Sequence, residues 1–181
     1  LPVGADAVSA RRAYAVDAVS GRVLYEKNPT ERSLIASTTK IMTALIVCEQ
    51  CNILDRMRIP KEAVGIEGSS MYLKEGEVLT LQELLYGLML SSGNDAAVAL
   101  AEHVAGTTDR FKEMMNDRVK QMGCISTEFG NISGLDTATS YTTAREMVKI
   151  TMEATKNETF AEIFKTGTYK IPATNLVSEE R

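Results

Sequence analysis

Residues 41–48 read IMTALIVC, apolar on nearly every side of a helix. A helix with a single apolar stripe can lie on a surface, but one that is apolar all round has to be enclosed by other elements. The rest of the chain must therefore wrap around this segment. It is too short to cross a bilayer, and no other apolar run is long enough to do so. A chain of 181 residues can bury one sizeable core. No repeat, low-complexity stretch or linker divides it, so residues 1–181 read as a single domain.

The periodicity around this helix supplies its packing partners. Residues 13–25, AYAVDAVSGRVLY, alternate about Ser20-Gly21 and predict a β-hairpin with a two-residue turn, ended by Asn28-Pro29. Arg56–Ile59 predicts a short strand stopped by Pro60, followed by a glycine-containing loop to Ser70. Thr80-Leu81-Gln82-Glu83 is a capping box, with Leu81, Leu84, Leu85 and Leu88 as the buried stripe of the helix behind it. Ser91-Ser92-Gly93-Asn94 breaks that helix. An alanine-rich helix follows from about Asp95 to Ala105 and stops at Gly106. Thr108-Asp109 opens another, with Phe111, Met114, Met115, Val119 and Met122 inside and Gly123 at its end. Residues 124–141 read as irregular, and Thr143-Ala144-Arg145-Glu146 as a second capping box starting a helix to about Thr155. Phe160, Ile163 and Phe164 recur at helical spacing, and Tyr169 and Ile171 begin a short strand stopped at Pro172. The fold class is α/β (α+β), mostly helical with a hairpin in front. Two strands alone are marginal in water. The sheet is therefore expected to be completed by strands beyond Arg181, which makes 1–181 a domain incomplete at its C-terminus.

Charge and cysteine usage narrow the function. The balance of 20 Lys+Arg against 24 Asp+Glu, net −4 with no basic block, argues against a nucleic-acid partner. The start, LPVGADAVSA, lacks the basic and apolar sections of a signal peptide and reads as a mature or trimmed N-terminus. Cys48, Cys51 and Cys124 are odd in number and form no disulfide framework. Cys48 and Cys51 could be half a metal site or a redox pair. No second CxxC exists, however, and His103 sits in a separate segment, so they read more simply as cysteines near the end of a packed helix.

Two short patterns carry chemistry. Ser37-Thr38-Thr39-Lys40 is an SxxK, a spacing that chance alone supplies about 0.7 times at this composition. Its position tells more: Ser37 falls at the start of the enclosed helix and Lys40 one turn on, so the two side chains share a face. The helix dipole and the apolar neighbours both favour a neutral amine. A neutral amine beside a hydroxyl is what a serine needs for activation without histidine. Free N–H groups at the helix start can help hold an oxyanion. The bland alternative is that Ser37, Thr38 and Thr39 cap the helix while Lys40 snorkels to water. The second pattern is Ser92-Gly93-Asn94, at a tight break that pushes the hydroxyl and the carboxamide out together. A polar turn with Asn94 or Asp95 as N-cap is its bland alternative.

The ordered pair is more specific than either part. SLIASTTKIMTALI, SSMYLKEGEVLTLQELLYGLMLSSGNDAAVALAEHVAG, FGNISGLD and YTTAREM resemble successive blocks of the serine-type D-alanyl-D-alanine carboxypeptidases. These are the low-molecular-mass penicillin-binding proteins of the peptidase S11 kind. The resemblance implies a DD-peptidase/β-lactamase-like fold and a Ser37 nucleophile acylated by the penultimate D-alanine of a peptidoglycan stem peptide ending in D-Ala-D-Ala. It implies Lys40 as general base, Ser92 as proton shuttle and Asn94 as the ligand of the substrate amide. It also implies inhibition by β-lactams, no metal or cofactor, and action outside the cytoplasmic membrane or in the periplasm, with membrane attachment only through a segment not present in this chain. The family's third motif is Lys-Thr-Gly on a strand. Lys165-Thr166-Gly167 spells it, but the helical spacing before it marks a helix end and hence a decoy. The chain by itself is then expected to be inactive or nearly so. A non-catalytic penicillin- or peptidoglycan-binding sensor domain and a β-lactamase-related hydrolase are the alternatives on the same scaffold.

Overall fold

The apolar run becomes α1 (Thr39–Gln50), in which Met42, Thr43, Ala44, Leu45, Ile46 and Val47 are all buried. The computed structural model describes residues 8–135 and 137–181. The first residues of LPVGADAVSA and Asp136 of the FGNISGLD block lie outside the described residues. The remaining elements run β1 (Ala13–Val16), β2 (Val23–Lys27), β3 (Arg56–Arg58), β4 (Val78–Thr80), α2 (Leu81–Leu90), α3 (Asn94–Ala105), α4 (Thr108–Gln121), α5 (Ala144–Ala154) and α6 (Glu158–Lys165). Helix α1 touches α2, α3, α4, α5 and α6, the enclosure that its composition demands. The buried residues of these helices include Leu84, Leu85 and Leu88 of α2, Ala96, Ala97, Ala99 and Ala101 of α3, Phe111 and Met115 of α4, Ile150 of α5 and Phe160 of α6.

Among the described residues the strands form two separate antiparallel ribbons, β1–β2 and β3–β4. No further strand joins the hairpin there. The hairpin connection is longer than the predicted two-residue turn: the Asp17 carboxylate accepts from the Ser20 N–H and hydroxyl, and the register slips at Ala15/Val16. Asp17 captures the loop locally, and this widens the turn beyond Ser20-Gly21. Strand β4 was not anticipated, because its three residues merge into the capping box of α2.

That box forms in full, with the Thr80 hydroxyl accepting from Glu83 N–H and the Glu83 carboxylate from Thr80 N–H. The second is only half a box. Thr143 caps α5, but the Glu146 carboxylate turns away to accept from Ile125 N, Ser126 N and the Thr127 hydroxyl. The anticipated strand at Tyr169–Ile171 is not formed either. Tyr169 stacks on Tyr86 with ring centroids 3.8 Å apart, and Ile171 exchanges backbone hydrogen bonds with Arg181. No helix among the described residues is long and apolar enough to cross a membrane.

Candidate active site

The site gathers at the N-terminal end of α1 and the C-terminal end of α2. A single 3-10 turn, Ala36–Thr38, runs straight into α1 and carries Ser37 on its exposed side. Ala36 has φ +51° and Ser92 φ +53°, left-handed conformations that are costly for residues with a Cβ. A strained residue thus stands just before the first motif and another within the second, a pattern concentrated at functional sites.

Lys40, one turn into the helix, is 3% exposed and does not snorkel. Its Nζ donates to Asn94 Oδ1 at 2.8 Å and to the Ser133 carbonyl at 2.6 Å. Burial lowers its pKa to about 8. The direction agrees with the sequence argument, but the size falls short of a fully neutral amine: at pH 7 roughly one amine in ten is unprotonated. Two carbonyl oxygens in place of a carboxylate explain how the group stays titratable near neutrality.

Ser92 lies in the break between α2 and α3, and its hydroxyl is buried with no hydrogen-bond partner among the described residues. A buried unsatisfied hydroxyl is costly and calls for an explanation such as a ligand or a catalytic role. Asn94 is the first residue of α3 and is 4% exposed. Neither it nor Asp95 caps the helix; Gly93 holds the N-cap position with no side-chain bond. Beyond Ser91 a cavity of about 240 Å³ opens, lined by Met71, Tyr86, Leu90 and Tyr169.

Three contributors escaped the sequence reading. The carbonyl of Ser133 supports Lys40, and its loop is held by Asn131 Oδ1, which accepts from Ser133 N and Gly134 N, and by Thr43, whose hydroxyl donates to the Ile132 carbonyl. Gly134, at φ +90°, passes so close to the Ser37 turn that a Cβ there would meet the Ala36 carbonyl. The carbonyl of Glu67 accepts from Asn94 Nδ2 at 2.7 Å. Every residue has a carbonyl, so no side-chain pattern announces these contacts; Gly134, the second glycine of FGNISGLD, was the available signal.

Lys165 stands apart from this cluster. It ends α6, is mostly exposed, and pairs with Glu162 at 2.6 Å. Glu162 and Ile163 border a cavity with Ile53 and Gln82, which lie beyond the C-terminus of α1 and in the first turn of α2. Those are the opposite ends of both helices from Lys40 and Ser92. The two cysteines of the CxxC are free and half-buried. Burial, with Glu49 and Cys51 beside it, pushes the Cys48 thiol up to about 12. No metal-ligating group of three or more side chains is found among the described residues.

Known proteins resemble this chain in sequence and in fold. The family model of Peptidase S11, D-alanyl-D-alanine carboxypeptidase, matches residues 2–178. The D-alanyl-D-alanine carboxypeptidase DacF of Bacillus subtilis is 37% identical over 166 residues, covering 89% of this chain and 42% of the relative. DacC of Escherichia coli is 37% identical over 156 residues, covering 80% and 39%. The chain thus spans about two-fifths of the length of these relatives. The crystal structure of the Streptomyces K15 DD-transpeptidase superposes with a TM-score of 0.87 at 35% identity, over 92% of this chain and 68% of that one. With the family match running through both motifs and the fold that sets them, the chain belongs to the Peptidase S11 family of D-alanyl-D-alanine carboxypeptidases.

Proposed function

We propose that this chain carries the acylating part of a serine DD-carboxypeptidase site. Ser37 Oγ attacks the carbonyl of the penultimate D-alanine of a peptidoglycan stem peptide, the peptide C–N bond breaks, and the terminal D-alanine leaves. Lys40 takes the Ser37 proton in its neutral form, and Ser92 passes a proton to the departing amine. Asn94 binds the substrate amide. Water then hydrolyses the ester and frees Ser37. A β-lactam follows the first step and leaves Ser37 acylated. The similarity to D-alanyl-D-alanine carboxypeptidases supports the substrate, and with it a place outside the cytoplasmic membrane at the cell wall.

The observation that carries this reading is a buried lysine with its pKa lowered to about 8, held on the Asn94 and Ser133 oxygens, together with a buried Ser92 hydroxyl, two residues before Asn94, that has no hydrogen-bond partner among the described residues. A lysine that only snorkels, or a turn that only caps, would show neither. For the chain by itself weak or absent turnover is expected, because its Lys-Thr-Gly triplet sits at the end of α6, away from Lys40 and Asn94. Intact mass spectrometry after exposure to a labelled penicillin tests the assignment. One adduct on Ser37, lost in Ser37→Ala, is expected; an adduct mapped to another residue overturns it.

A further inference from the structure

Asp95 follows Asn94 in the first turn of α3, and its carboxylate is 2% exposed. It forms no ion pair among the described residues. Its Oδ1 accepts from Met71 N at 3.1 Å and Ala96 N at 2.9 Å. Its Oδ2 accepts from Leu73 N at 3.0 Å and from the Ser70 hydroxyl at 2.6 Å. A buried carboxylate satisfied by backbone N–H groups at a helix start is a strong tie, and this one fastens residues 70–73 to α3. The segment just upstream makes both remaining contacts to Asn94: the Ser69 carbonyl accepts from Asn94 N and the Glu67 carbonyl from Asn94 Nδ2, each at 2.7 Å. A carboxamide whose NH₂ is spent on a carbonyl must turn its oxygen the other way, and here that oxygen meets Lys40 Nζ. Gly68 completes the fit, since a Cβ on it would lie 2.6 Å from Asn94 Nδ2.

We propose that Asp95 is a positioning residue for the acylation site: by clamping residues 70–73 it sets the Glu67 carbonyl that orients the Asn94 carboxamide toward Lys40. Its consequence for catalysis rests on the functional reading above; the orientation itself does not. Asp95→Asn keeps the size but turns an NH₂ toward backbone donors that need an acceptor. Ser70→Ala removes one strand of the clamp and leaves the carboxylate in place.

The test is NMR on the isotopically labelled protein, reading solvent exchange of the Asn94 carboxamide protons and the titration of the Lys40 ε-methylene. Lys40 Nζ donates to the Asn94 and Ser133 oxygens and pairs with no carboxylate among the described residues. Because Asp95→Asn also removes a buried charge near it, the Lys40 midpoint is read in Ser70→Ala as well, where the Asp95 charge is kept. Asp95→Asn is expected to speed Asn94 exchange about tenfold or more and to shift the Lys40 midpoint, the scale of losing a charge-assisted hydrogen bond. Ser70→Ala should give a smaller change of the same sign. Gly68→Ala, which strikes the carboxamide directly, should reproduce the Asp95→Asn effect. A lower Tm in Asp95→Asn with unchanged Asn94 exchange and Lys40 titration overturns the proposal. If that variant does not fold, Ser70→Ala decides by the same two readouts. Penicillin acylation is followed in parallel, and Asp95→Asn should add little in an Asn94→Ala background because both act through one carboxamide. Absence of any Ser37 adduct in the unsubstituted protein refutes the functional reading, and the NMR comparison still decides the positioning.

Discussion

Among the described residues Lys40 is held by carbonyl oxygens alone, and burial is the cause of its lowered pKa of about 8. The acylation rate should therefore rise with pH along a limb with its midpoint near 8, as the amine loses its proton. A limb set by an unperturbed lysine would exclude Lys40 as the base. Lys40→Arg should abolish acylation, since guanidinium stays charged. The same shift has a stability signature. The folded pKa lies below the unfolded value of about 10.4, so between those values the unfolded chain binds more protons and stability rises with pH. Below about 8 the cost of the buried charge is fully present. Urea titrations across that window should show the slope in the parent protein and a weaker one in Lys40→Met. Gly134 makes a second residue-scale case. Gly134→Ala drives a Cβ into the Ala36 carbonyl at a φ of +90°, with backbone on the other side and no flexible tip to yield. A loss of about 1–3 kcal/mol is expected, read by denaturation, together with slower penicillin acylation as the Ser37 turn shifts.

Elements were legible where a pattern had one physical meaning. The run at 41–48 could only be an enclosed helix, and α1 is in contact with five others. Thr80-x-x-Glu83 formed its full box, and Thr80→Ala should cost about 1 kcal/mol in denaturation. Thr143-x-x-Glu146 has the same letters and only half the outcome, because a carboxylate goes to whichever donors the tertiary structure brings nearest. Glu146→Gln should leave the start of α5 in place while amide exchange quickens at Ile125 and Ser126, and equal loosening of α5 would contradict that division. The side chains of the site were readable from spacing and resemblance. Its supporting carbonyls at Glu67 and Ser133 were not, since a backbone oxygen becomes specific only through the loop that aims it.

At the scale of the whole molecule, the fold separates two places that the sequence alone could have joined. Lys40 opens α1 and Ser92 follows the end of α2, while α6 meets Ile53 and Gln82 at the other ends of the same helices. A helix the length of α1 spans about 18 Å, which is far beyond the reach of a lysine side chain. Lys165 is therefore placed for the dipole of α6 and for Glu162, one turn earlier on the same face. An exposed pair of this kind contributes little, because both ends are solvated and both must give up side-chain freedom to meet. Lys165→Ala should change stability by no more than about 0.5 kcal/mol and leave the rate and pH limb of penicillin acylation at Ser37 as they were. If Lys165 were the lysine that anchors a substrate carboxylate, its loss would slow acylation by carboxylate-bearing β-lactams selectively while stability held. Comparing a penicillin with its methyl ester, in the parent and in Lys165→Ala, separates the two. Equal sensitivity to esterification in both proteins is the expected result, and a carboxylate preference that vanishes with Lys165 would bring the triplet back into the site.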